Sequence, residues 1–191
     1  MTIAKQERFL SPAFIQLRFK KYNLEVREME HIKTIEIIKL AICIGVCLAA
    51  GFIGSIFTSA SIPTWYTTLE KPSFNPPNWL FAPVWTILFI LMGVSAFLVW
   101  RVGLSEPNVK VALVIFIIQL IFNAFWSVAF FGLRSPIAGL IVIVILWVAI
   151  LLTILSSIKV SITAGILLIP YILWVSFASI LNVSIYILNR R

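Results

Sequence analysis

Residues 71–85 read Lys71-Pro72-Ser73-Phe74-Asn75-Pro76-Pro77-Asn78-Trp79-Leu80-Phe81-Ala82-Pro83-Val84-Trp85. They separate two apolar runs, each long enough to cross a bilayer, which takes about 20 residues in a helix. The stretch is therefore expected at or just outside a membrane surface. Pro72, Pro76 and Pro77 fix φ and remove backbone donors, and the residue before each proline is pushed toward extended geometry. This reads as a stiff, non-helical lid. Pro83 fits the first turn of the following helix, where a missing N–H costs little. Trp79 and Trp85 are then expected near the mouth of whatever the helices enclose.

Outward from this lid the pattern is uniform. The chain is 61% hydrophobic and 12% charged, with a mean hydropathy of +1.07. That is far outside the range of soluble domains. Apolar runs recur from about residue 35, and they predict five helices near 37–57, 79–101, 109–132, 136–157 and 161–188. Most lack a polar outer stripe, as expected where lipid and protein both favour apolar contact. The alternating decads of a membrane barrel are absent. The expected fold is an all-α integral membrane protein, a bundle of five transmembrane helices over residues 35–191.

Residues 1–34 precede that bundle as a basic extension, read as interfacial or disordered. Phe9, Phe14, Ile15, Leu17 and Phe19 alternate with Arg8, Arg18, Lys20 and Lys21, the pattern of a segment lying in the headgroups. No uninterrupted apolar core precedes a small-residue cleavage site, so the segment does not read as a signal peptide. Residues 1–39 hold eight of the fifteen Lys/Arg and five of the seven acids. With five spans the N-terminal side collects eleven basic residues against four opposite. The expected N-terminus is cytoplasmic, with the lid on the other side. Basic flanks are ordinary in membrane proteins, so the net charge of +8 calls for no nucleic-acid partner.

Catalytic chemistry is scarce. Cys43 and Cys47 lie one turn apart on one helix, without the His or acid neighbours of a metal site, and read as small packing residues. His31, the single histidine, sits in a charged stretch before the first span. No nucleophile–base pair, intramembrane carboxylate pair or Gly-rich phosphate loop is present. Glu70 beside Lys71 reads as a rim ion pair of little weight.

What remains are aromatic and amide stripes. Gln119, Asn123, Trp126 and Phe130 follow i, i+4, i+7, i+11 and share a face of the third span. Amides at hydrocarbon depth must turn inward to a partner or cavity. Trp85, Phe89, Met92 and Ala96 repeat that spacing in the second span. Pro170, Trp174, Ala178 and Asn182 step by four along the fifth, where Pro170 permits a kink. Trp147 has no polar companion and is expected to face lipid or a neighbouring helix. Three converging stripes under the lid suit a flat, largely apolar molecule stacked on indoles, with Asn123 and Asn182 orienting its polar groups.

At these residues the chain resembles the translocator protein / tryptophan-rich sensory protein family, also called the peripheral benzodiazepine receptor family. The matching blocks are Trp65-Tyr66-x-x-Leu69-x-Lys71-Pro72-x-Phe74-x-Pro76-Pro77-x-Trp79-x-x-x-Pro83-Val84-Trp85, then Asn123-x-x-Trp126 and Phe130-Phe131-Gly132. The third is Pro170-Tyr171-x-x-Trp174-x-x-Phe177-Ala178-x-x-Leu181-Asn182. The resemblance runs over about residues 36–189 and leaves residues 1–34 outside.

It implies a homodimeric five-helix bundle that binds tetrapyrroles such as protoporphyrin IX and haem as ligands, with no resident cofactor required. The implied ligand-binding residues are Ala82, Trp85, Phe89, Asn123, Trp126, Trp174 and Ala178, with Trp79 and Asn182 added from the lid and stripe reading. Phe89 departs from the Tyr common in the family, and Ala138 stands where animal members often carry an aromatic. Val183-x-x-Tyr186-x-x-x-Arg190 fits only a loose sterol pattern. The implied function is binding with transport or sensing of tetrapyrroles, and the alternative is light- and oxygen-dependent porphyrin degradation. Ala124, Ser127, Ala129 and Gly132 place small residues on the third span and point to it as the expected dimer interface.

Overall fold

The computed structural model describes residues 12–190, so the Arg8 and Phe9 part of the basic extension lies outside the described residues. The helices are α1 (Pro12–Ser61), α2 (Trp65–Thr68), α3 (Asn78–Trp100), α4 (Pro107–Ser127), α5 (Pro136–Ile158), α6 (Ile162–Ile166) and α7 (Ile169–Asn189). A π-helical turn, Val128–Gly132, continues α4. Five segments are long and apolar enough to span a membrane: α1, α3, α4 with its π turn, α5, and α6 with α7. The protein is an all-α, multi-pass integral membrane protein.

The chain divides into two compact units, at Ile38/Lys39. In the first, residues 12–38 are helical, with Leu17, Phe19 and Tyr22 exposed. Lys21 and Glu25, one turn apart, approach to 3.8 Å. Both are exposed, so the pair adds little.

The second unit holds the bundle. Its core is a run of fully buried residues that includes Met92, Ile143, Leu146, Ile150, Tyr171 and Val175. α1 meets α3 at Gly93, where a Cβ would come within 2.6 Å of the Ile44 Cα. Only glycine lets the two backbones approach so closely. Polar side chains bridge the remaining helices. Ser95 Oγ donates to the Ala164 carbonyl at 2.8 Å, and Trp147 Nε1 donates to Ser176 Oγ at 2.8 Å. Trp147 therefore has the polar companion that its own helix lacks; the partner comes from α7, invisible to a pattern read along one span.

Helix ends follow local chemistry. Pro107 and Pro136 open α4 and α5 in the first turn, where their missing N–H is harmless. Ser135 and Ser161 cap α5 and α6 by accepting from Ala138 N and Ala164 N, each at 3.3 Å. The fifth span is not the continuous helix expected over 161–188. It breaks between Ile166 and Ile169, just before Pro170, which cannot donate back into a preceding turn. α3 begins at Asn78 with Pro77 as its cap, which puts Pro83 in the second turn rather than the first.

The π turn sets the geometry of the site. Leu133 N–H reaches back five residues to Val128 O at 2.8 Å, and Ser135 N–H reaches Phe130 O at 3.2 Å. The extra residue per turn widens the helix and redirects the side chains beyond it. Arg134 ends the turn with φ 52°, a left-handed conformation that reverses the chain toward α5.

Candidate functional site

The bundle encloses a cavity of about 430 Å³, within the roughly 300–1,000 Å³ typical of small-molecule sites. α1 supplies small and hydroxylated residues, Gly51, Gly54, Ser55 and Thr58. α3 gives Ala82, Trp85 and Phe89; α4 gives Asn123, Trp126 and Ser127. The π turn adds Phe130 and Phe131, and α7 adds Ala178, Leu181 and Asn182. Among the described residues, no Lys, Arg, His, Asp or Glu borders it. Among the described residues no cluster of His, Cys, Asp and Glu could hold a metal.

Two stacked aromatic pairs dominate the walls. Trp85 stacks on Phe89 with centroids 5.6 Å apart and planes 29° apart. Trp126 stacks on Phe130 at 5.5 Å and 21°. The Phe89 ring fills the space that Gly51 leaves on α1, and a Cβ there would collide with it. Phe130 likewise occupies the notch at Gly139, where a Cβ would lie 2.6 Å from the ring. Both pairs are thus held by glycines on facing helices, which leaves flat indole surface available for stacking.

The roof comes from the segment between α1 and α3. Tyr66 on α2 is buried against Phe130 and Phe131 and borders the cavity together with Ile62, Asn78 and Phe81. Its hydroxyl donates to Asn75 Oδ1 at 2.8 Å, and Asn75 Nδ2 donates to Pro76 O at 3.1 Å. Burial pushes the Tyr66 phenol up to about 12. The Lys71 ammonium stands 4.8 Å from the Tyr66 ring centroid. The proline segment thus acts at one remove, since residues 71–77 do not border the cavity but hold Tyr66 in place. At the far end the loop is fastened to α7, because Glu70 N donates to Asn189 Oδ1 at 3.0 Å and Asn189 Nδ2 donates to Glu70 O at 2.9 Å.

The polar groups of the wall are mostly committed within the bundle. Asn123 Nδ2 donates to Tyr171 Oη at 2.8 Å, and Tyr171 Oη donates to Gln119 Oε1 at 3.0 Å. The Asn182 amide, oriented so that both its atoms are satisfied, donates to Pro136 O at 2.9 Å and accepts from Leu140 N at 3.2 Å. Asn182 thereby ties α7 to the first turn of α5, and its side chain is spent on that junction. The indole N–H of Trp126 is buried without a partner.

Seven of the nine residues expected to bind ligand border this cavity: Ala82, Trp85, Phe89, Asn123, Trp126, Ala178 and Asn182. Two do not. Trp79, in the first turn of α3, is 71% exposed. Trp174 lies one layer back, edge-on to Phe81 at 6.0 Å, and borders a separate apolar groove between α3 and α7 with Val84, Leu88 and Phe177. Phe81 stands where Trp174 was expected, because α7 turns Ala178 and Asn182 inward and carries Trp174 past the wall. The α1 wall, Tyr66 and Phe81 escaped the sequence reading. The signal for α1 was present, since Gly51, Gly54, Ser55 and Thr58 follow i, i+3, i+4, i+7. Of the small residues on the third span, Ala129 is sealed within its own chain and Ser127 faces the cavity opposite Gly54, while Ala124 is half-buried and Gly132 exposed. Ala129 is therefore not a dimer contact.

Comparison with known proteins adds lineage to this geometry. Residues 43–188 match the TspO/MBR family. The chain is 54% identical over 154 residues to the tryptophan-rich protein TspO of Chlorobaculum tepidum, covering 81% of this chain and 98% of that protein. It is 47% identical over 154 residues to the tryptophan-rich protein TspO of Archaeoglobus fulgidus, covering 80% and 98%. With the human translocator protein it shares 36% identity over 137 residues, covering 71% and 80%.

Proposed function

The chain belongs to the TspO/MBR family, and on that premise we propose that its cavity receives a tetrapyrrole, protoporphyrin IX or haem, for transport or sensing. The observation that carries this reading is the pair of stacked walls, Trp85 on Phe89 and Trp126 on Phe130, facing one uncharged cavity. A flat macrocycle gains stacking area from such walls without displacing charged groups from water. A ligand of this kind enters from the hydrocarbon, closes under Tyr66 and leaves when the loop lifts. The reading extends to a homodimer. Val114, Ile118, Ile121 and Phe125 form an exposed apolar row on α4 and supply a contact face in place of Ala129.

A second reading is light- and oxygen-dependent degradation of the bound pigment. It is favoured by one feature, the two indoles of Trp85 and Trp126 on the cavity wall, positioned as electron donors to a photo-oxidised ring. One titration separates the two. Purified protein with protoporphyrin IX is expected to show a saturable, shifted Soret band and quenched tryptophan fluorescence in the dark. A band that persists under light in air supports binding alone, whereas a new long-wavelength product supports chemistry. No saturable spectral change in the dark refutes both.

A further inference from the structure

One hydrogen-bond chain in the cavity wall has its direction set from behind. Tyr171, on α7, is fully buried, as is Gln119 on α4, one turn before Asn123. The Tyr171 hydroxyl has one proton, and it goes to Gln119 Oε1 at 3.0 Å. The oxygen is then left only to accept, and it accepts from Asn123 Nδ2 at 2.8 Å. Asn123 must therefore point its nitrogen at Tyr171 and its carbonyl the other way. Asn123 borders the cavity while Tyr171 and Gln119 do not. No donor among the described residues meets Asn123 Oδ1, and that oxygen is not among the sealed-off unpartnered atoms.

We infer that Tyr171, backed by Gln119, is a positioning residue that turns the Asn123 carbonyl into the cavity, so that the site selects flat ligands presenting an N–H or O–H donor at that wall. This deepens the ligand-binding reading above and rests on it. Among the described residues the lining carries no charged side chain, so an oriented amide dipole weighs heavily in a low-dielectric pocket. A matched donor gains a hydrogen bond. A ligand with no donor leaves Oδ1 stripped of water, and one with an acceptor there is repelled. Pyrrole and lactam N–H groups and a protonated carboxyl all satisfy the wall; a carboxylate does not.

The test uses three flat tricyclic probes of similar size that present different groups at the central-ring nitrogen: carbazole with an N–H, N-methylcarbazole with a methyl in its place, and acridine with a bare ring nitrogen. Binding of tritiated carbazole to the purified full chain, and its displacement by the other two, is measured at mildly alkaline pH, where acridine is neutral. Carbazole is expected to bind about fivefold tighter than either competitor, the yield of one net hydrogen bond. Gln119→Met takes away the acceptor for Tyr171, whose hydroxyl then donates to Asn123 Oδ1 and turns Nδ2 into the cavity. Preference should switch to acridine. Tyr171→Phe leaves the amide unfixed, and the three affinities should converge to within about twofold. A merely structural role would weaken all three probes together in both variants. Because Gln119 Nε2 is already without a partner, Gln119→Met is the milder change and keeps the test readable if Tyr171→Phe misfolds. Acridine preferred by the wild type, an unchanged ranking in Gln119→Met, or no carbazole binding overturns the inference. Failure of protoporphyrin IX to bind while the carbazole ranking holds would overturn the tetrapyrrole reading alone.

Discussion

Replacing Asn189 with alanine removes the fastening between the roof loop and the end of α7. Three bonds are lost: two to the Glu70 backbone at 3.0 and 2.9 Å, and one from Nδ2 to Ile185 O at 2.8 Å. Only the first two resist opening, since the third lies within α7. Both are exposed, so each contributes at the low end of the net hydrogen-bond range, about 0.5–1 kcal/mol. Their loss should lower the cost of lifting the loop by about 1–2 kcal/mol, and so raise the open population by roughly 5–30-fold. Tyr66 to Asn75 and the Phe74–Phe177 contact at 6.3 Å still hold the loop's resting position, so affinity should fall less than exchange accelerates. The assay is stopped-flow displacement of bound protoporphyrin IX, with the melting temperature in detergent as control. A dissociation rate within twofold of wild type, at unchanged melting temperature, would mean that ligand does not leave past this loop.

Three further outcomes follow from the packing. Trp85→Phe should weaken protoporphyrin binding about tenfold, for a loss of about 1.4 kcal/mol, whereas Trp174→Phe should leave it within about twofold because that indole lies behind Phe81. Fluorescence titration reads both, and equal losses would place Trp174 in the site. Gly93→Leu should destabilise the bundle by about 1–3 kcal/mol or more through collision with the Ile44 backbone, seen as a lower melting temperature in detergent; an unchanged value would show that α1 and α3 do not cross there. The Tyr66 phenol, normally near 10, is raised to about 12 by burial. Its protonated form is thus favoured in the folded state, so its contribution is complete below pH 10 and lost as pH rises toward 12. Tyr66→Phe should flatten that alkaline loss in a pH series of melting curves, and an identical profile would assign the loss to other groups.

Amino-acid order alone determined the five spans and the all-α membrane class, because hydrocarbon leaves the backbone no partners but its own and so converts apolar length directly into helix. It also placed the proline segment and put Trp85 with Phe89 on one face of α3 and Asn123 with Trp126 on one face of α4, since helical periodicity fixes which residues of a helix share a face. Tertiary structure decided the rest. Whether Trp174 or Phe81 meets the cavity depends on how α7 is rotated after its break before Pro170, and rotation about a helix axis is set by the neighbours packed against it. The π turn at Val128–Gly132 adds a residue to the turn that leads into α5, a change that no i, i+4 count contains, although Phe130 still stacks on Trp126 four residues before it. Partners drawn from distant spans, Ser176 for Trp147 and Pro136 and Leu140 for Asn182, are invisible along one helix. The direction of the Gln119–Tyr171–Asn123 chain is of the same kind: the sequence supplies the polar groups, but which atom of Asn123 faces a ligand depends on three side chains from two helices meeting at hydrogen-bond distance.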